Sequence, residues 1–110
     1  MCKTQSPINL NETDDGQMSW CPGCESYSLV YRSACVSFYR HELDQFVETL
    51  NALTPDNFCY DFKDQPHAII RGSSSYVGLC LNRNDVYALR SLIRGALTVH
   101  EAYKILHSNS

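Results

Sequence analysis

The chain has 110 residues, 44% of them hydrophobic, with 12 acidic against 9 basic side chains and a formal charge of −3. At this length a single domain over residues 1–110 is expected, since chains divide into several cores only above about 250 residues. The acidic balance, with a pI near 5.7, argues against a nucleic-acid module, which carries a strongly basic footprint. No stretch reaches the roughly 20 apolar residues of a membrane helix. The opening "MCKTQSPINLNETDDG" has neither the basic nor the apolar part of a secretory leader. A cytoplasmic protein with no membrane or nucleic-acid partner is the expectation.

In chain order, residues 1–16 are polar and read as loop, with Ile8 and Leu10 as weak docking points and "QMSWC" as a short strand. "YSLVY" and "ACVSFY" form the clearest hairpin, rich in aromatic and β-branched residues. Pairing Tyr31 with Ala34 sets Leu29 opposite Val36 and Tyr27 opposite Phe38, all on one face of the pleat. Val30 with Cys35 and Ser28 with Ser37 take the other face. The turn, Arg32-Ser33, lacks the glycine or asparagine such turns favour. "RHELDQFVETLNAL" places Leu43, Phe46, Val47, Leu50 and Leu53 at helical spacing, stopping before Pro55. "FCYDF" reads as a short strand or an aromatic-anchored loop. "HAIIRG" and "YVGLCL" make a second hairpin around "GSSS". Pairing Arg71 with Tyr76 there sets His67 opposite Cys80. "NRNDVYALRSLIRG" follows as a helix with Val86, Leu89 and Ile93 in its stripe.

Gly95 can end that helix. "TVHEAYKIL" then forms a separate one with Thr98 and Glu101 at capping-box spacing and an apolar stripe of Val99, Ala102, Tyr103 and Leu106. One continuous helix is the other reading. An echo at an offset of 43 residues relates Val36, Phe38, Leu43, Phe46 and Leu50 to Leu79, Leu81, Val86, Leu89 and Ile93, each half reading hairpin then helix. The expected fold is α+β: two β-hairpins in a mostly antiparallel sheet, with two or three helices packed on one face. Residues 1–24 form a cysteine-bearing segment, 25–97 the ββα-ββα core and 98–110 a helical extension. The back of the sheet, with Val30, Tyr39, Ile69 and Cys80, would be partly covered by the N-terminal segment through Met18 and Trp20, or by a partner.

Six cysteines in a reducing compartment are a matter of thiols rather than disulfides. Cys35, Cys59 and Cys80 lie among apolar or aromatic residues, whereas Cys2, Cys21 and Cys24 lie in turn-rich sequence. "WCPGC" superficially resembles a thiol oxidoreductase motif. That chemistry needs a buried strand before the pair and a helix starting at it, to stabilise the first thiolate. "NETDDGQMS" and "ESYSLVYR" offer neither. Zinc fits better. A CxxC on a tight turn supplies two thiolates to a tetrahedral ion, and Pro22-Gly23 suits the turn. Cys2 can fold back as a third ligand. Extending the first hairpin brings His41 opposite Cys24 as the fourth, with Cys35 the next choice. A site of this kind contributes on the order of 10 kcal/mol to ordering a segment with little core.

Cys2, Gly16, Cys21 and Cys24, followed by "YSLVY", "ACVSFY", "ELDQFVETL" and "YVGLCLNRNDVYALRSLI", resemble a family of small bacterial domains of unknown function. Its members carry an N-terminal cysteine, Gly-x4-CxxC, then hairpin, helix, hairpin and helix. The resemblance covers the chain to about residue 95. It implies a shared role for the three N-terminal cysteines and adds no activity.

Other polar groups read more plainly. His67 near Cys80 is an ordinary sheet-surface residue, having no acid to orient it. His100, Lys104 and His107 form a solvated helix face, and Asp44, Glu48 and Glu42 solubilise the first helix. There is no phosphate loop and no nucleophile elbow. The sequence thus points to a non-enzymatic, zinc-stabilised binding or regulatory module, with a protein partner or a homodimer as its interaction. Alternatives are a thiol-disulfide oxidoreductase using Cys21 and Cys24, and a metal-free protein-interaction domain.

Overall fold

The computed structural model describes residues 6–71 and 78–108. Its larger sheet is an antiparallel meander of four strands in chain order: β1 (Ile8–Glu12), β2 (Gly16–Cys21), β3 (Ser26–Tyr31) and β4 (Ala34–Phe38). The β3–β4 register is the one the alternation dictates, Tyr31 to Ala34 through Tyr27 to Phe38. Tyr27, Leu29, Tyr31 and Phe38 are buried on the inner face, and Val30 and Cys35 are exposed on the outer.

Residues 8–12 were expected as loop but form an edge strand. The ladder slips between Asn9 and Asn11, and Leu10 in that bulge is buried with Met18 in the common core. A bulge re-aims a side chain and breaks the simple period of two, which is why the strand is faint in the sequence. The N-terminal segment therefore extends the sheet sideways. Its described residues do not cover the back, where Val30, Ile69, Cys35 and Cys80 are exposed.

The first helix, α1 (Arg40–Ala52), buries Leu43, Phe46 and Leu50. A 3-10 turn at Pro55–Asn57 leads to a second antiparallel sheet of β5 (Tyr60–Phe62), β6 (Gln65–Arg71) and β7 (Gly78–Leu81). The α+β class holds, but among the described residues the two hairpins belong to separate sheets rather than one. Arg71 pairs with Gly78, so Cys80 faces Ile69 and His67 faces Tyr60. The "GSSS" turn and Tyr76 lie outside the described residues.

The second helix, α2 (Arg83–Ser108), is continuous. Asn82 caps it: its side-chain oxygen accepts the Asp85 N–H at 2.8 Å, and Asp85 accepts the Asn82 N–H at 3.0 Å. That reciprocal arrangement satisfies two backbone donors at the helix start. Gly95 does not end the helix. It sits mid-helix where Asn11 approaches, and the Asn11 amide donates to the Leu92 carbonyl at 3.1 Å. Thr98 is internal too, its hydroxyl donating to the Arg94 carbonyl at 2.9 Å. The buried stripe of α2 is Val86, Leu89, Leu92, Ile93, Ala96 and His100, and the expected stripe through Val99, Ala102 and Leu106 is exposed. Both helices pack on the inner face of the larger sheet, α1 against β3 and β4 and α2 across β1 and β2. One buried cluster joins this layer to Ile70 and Leu81 of the smaller sheet.

The β3–β4 turn solves its missing glycine with charge. Arg32 holds φ at 54°, a left-handed conformation that costs a residue with a side chain roughly 1 kcal/mol or more. Its N–H donates to the Asp15 carbonyl at 2.7 Å, and its guanidinium pairs with Asp85 at 2.9 Å.

Gly16 and Gly95 make opposite predictions. A Cβ on Gly16 would lie 2.5 Å from the Val30 carbonyl oxygen, which is fixed in the ladder. One on Gly95 would meet only the movable Asn11 amide. Gly16→Ala should destabilise by about 1–3 kcal/mol, the usual overpacking cost. Gly95→Ala should be nearly neutral, because about 1 kcal/mol of helix propensity offsets one displaced hydrogen bond. Urea midpoints of the two variants measure this directly.

Candidate functional site

Cys21 is the last residue of β2 and pairs with Ser26, the first of β3. The intervening loop closes on itself: the Cys24 backbone N–H points at Cys21 Sγ, 3.3 Å away, and Glu25 turns back into β3 at φ 53°. The pair therefore sits on a strand–turn–strand knuckle. No helix starts at Cys21, so the helix dipole that activates an oxidoreductase's attacking thiol is missing here.

Cys2, the expected third ligand, lies outside the described residues. Ile8 pairs with Trp20 and β1 runs antiparallel to β2, so β1 begins at the knuckle end of the sheet. Cys2 stands six positions upstream, a tether of at most about 20 Å. For His41 the reasoning from register needs correction. The ladder ends at Tyr27–Phe38, and His41 rides on the first turn of α1, exposed, stacked over Tyr39 with ring centroids 6.3 Å apart. Cys35, the other expected candidate, is exposed opposite Val30 on the outer face. Among the described residues no three His, Cys, Asp or Glu side chains gather as a metal ion would require.

Behind the knuckle stands a buried aromatic wall that the sequence did not announce. Trp20, next to Cys21, packs against Tyr27 and His100 with centroids 4.7 and 4.5 Å away. His100, expected on a solvated face, is 1% exposed. Its Nδ1 lies 2.6 Å from the Tyr27 hydroxyl, and Arg40 donates to that same hydroxyl at 3.2 Å. Arg40 has no acceptor to offer, so the buried Tyr27 O–H finds its own acceptor in Nδ1. His100 is thereby the neutral tautomer protonated at Nε2. Burial lowers its pKa below the ordinary value, helped by Lys104 and Arg40 and opposed by Glu101. A histidine this enclosed and this committed is architectural; general acid–base work requires a proton path to substrate. The signal for it was the stripe Leu89–Ile93–Ala96–His100, legible once α2 runs through Gly95.

At the far end of the sheet Tyr31 donates to Asp85 at 2.8 Å. Burial, then the hydrogen bond and charge of Asp85, push the Tyr31 pKa up to about 12. His67 bonds the Gln65 carbonyl of its own strand at 2.8 Å and packs edge-on to Phe62, in keeping with a structural role.

The chain belongs to the family of unknown function DUF6686, whose model matches residues 1–109. No curated protein and no solved structure gives a match to it. No helix among the described residues is long and apolar enough to cross a membrane.

Two pH dependences follow. The unfolded chain protonates its histidine as pH falls through about 6.5, while folded His100 resists. Stability carried by His100 is full above that pH and declines below it. His100→Gln should flatten this part of the stability–pH curve relative to the parent, as read from denaturant midpoints between pH 7.5 and 5. For Tyr31 the order reverses: its contribution is full below about pH 10 and is lost as pH rises through its raised value. In an ultraviolet titration of the folded protein, one of the seven tyrosines should ionise near 12.

Proposed function

We propose that the chain is a small, non-enzymatic binding module whose N-terminal end is tied by a zinc ion held by Cys2, Cys21 and Cys24. The observation that carries this reading is the Cys24 N–H directed at Cys21 Sγ across a closed turn. That geometry places both cysteines on one closed turn, the form in which a CxxC pair supplies two ligands to a tetrahedral ion. The direction of β1 supports the third ligand, since Ile8, its first residue, pairs with Trp20 beside the knuckle, six positions after Cys2. Trp20, Tyr27 and His100 give the knuckle a packed base, which fixes ligand orientation as outer contacts of metal sites do.

Zinc bound here contributes folding free energy and suits a reducing, cytoplasmic setting in which the thiols persist. Binding is the remaining role. Val99 and Leu106, seven residues apart and so on one face of α2, are both exposed and offer apolar contact to a protein partner or a second copy.

Protein expressed without tag or added zinc, then analysed by elemental mass spectrometry, should carry one zinc per chain. Cys21→Ser and Cys24→Ser should each abolish the stoichiometric metal. Absence of stoichiometric metal from the parent protein would overturn the reading.

A further inference from the structure

A second site lies away from the cysteines, in the groove where α1 crosses α2. Its volume is about 290 Å³, at the small end of the roughly 300–1,000 Å³ of small-molecule sites. Val47 and Leu50 of α1 and Ile93 and Leu97 of α2 give it an apolar floor and walls, and Arg90 and Arg94 stand along it.

The charges of this groove are unbalanced. Arg90 reaches across to donate to the Leu50 carbonyl near the end of α1, which holds the two helices together. Its buried Nε has no hydrogen-bond partner. Arg94 is exposed and has no ion pair or hydrogen bond from its side chain among the described residues. Glu101, the only acid lining the groove among the described residues, is already engaged by Lys104 at 3.6 Å and Arg40 at 4.0 Å. A guanidinium beside an apolar trough, without an anion of its own, matches one ligand chemistry. A planar carboxylate meets its fork with two parallel N–H···O bonds, and an apolar body removes the trough from water.

We propose that the α1–α2 groove binds a small organic carboxylate with a short apolar body, its acid on Arg94 and its hydrocarbon against Val47, Ile93 and Leu97. Arg94 is the anchor, because Arg90 is committed to the Leu50 carbonyl. The site is independent of the cysteine knuckle.

Octanoate is a suitable probe, with octanamide as its uncharged counterpart and acetate as its truncated one. Methyl NMR of the full chain, labelled at Ile, Leu and Val, should show saturable shifts at Val47, Ile93 and Leu97 with octanoate. Octanamide and acetate should bind at least about tenfold more weakly, the loss of one charge-assisted contact or of the buried chain. Arg94→Gln, at an exposed position that leaves the core intact, should weaken octanoate about tenfold and leave octanamide unchanged. Equal binding of octanoate and octanamide would overturn the proposal. So would unaltered octanoate binding by Arg94→Gln, or shifts confined to other methyls such as Val99 and Leu106.

Discussion

Two buried tyrosine hydroxyls on β3 set the position of everything that packs on the larger sheet. Tyr27 and Tyr31 point inward on either side of Leu29, and each must place its O–H where water cannot reach. An unpaired buried hydroxyl costs about 1–3 kcal/mol, so α2 is held where it can accept both. Asp85 receives Tyr31 in its first turn, and His100 receives Tyr27 fifteen residues later. The span between those acceptors is about 22 Å of helix at 1.5 Å per residue. It can be bridged only if α2 continues through Gly95, and Gly95 in turn makes room for Asn11 of the bulged edge strand. Helix continuity, the β1 bulge and the burial of a histidine are consequences of one requirement.

The sequence revealed some of this clearly. The β3–β4 register could be read because aromatic and β-branched residues alternate over both strands, and a one-residue slip would expose the whole inner set. The stripe of α1 was equally plain, since Leu43, Phe46 and Leu50 match a single helical face. What failed were signals that depend on distant partners. A glycine inside a helical pattern reads as a stop, and only the nearby Asn11 explains its presence in the middle of α2. The Arg32 turn looked wrong because its compensation, Asp85, lies 53 positions away in the chain. The second hairpin was misregistered by two residues because its strands carry apolar residues on both sides, so alternation constrained it weakly.

The candidate site divides in the same way. The Cys21–Cys24 knuckle is local, and its strand–turn–strand setting follows from the residues on either side. The position of His41 is not local. Tyr39 is a poor cap by composition, and the strand pattern of "ACVSFY" runs on into it. The mark of the helix start is instead Glu42, whose carboxylate accepts the Tyr39 N–H at 2.8 Å. That bond turns the chain out of β4 and places His41 on a helix rather than across a ladder. The aromatic wall of Trp20, Tyr27 and His100 joins β2, β3 and the last third of α2, a conjunction visible only after folding.

Arg40 ties the two ends of this argument together. It donates to the Tyr27 hydroxyl, pairs with Asp44 at 3.0 Å on its own helix and approaches Glu101 of α2. Through Tyr27 it orients the neutral His100 behind the knuckle. With Lys104, which stands nearer at 3.6 Å, it engages Glu101, the acid of the groove between the helices. A single guanidinium thus fixes the tautomer of a buried histidine on one side and shares the groove's acid with Lys104 on the other. The knuckle's packed base and the groove between the helices are thus linked through one side chain, although Arg40 itself belongs to neither site.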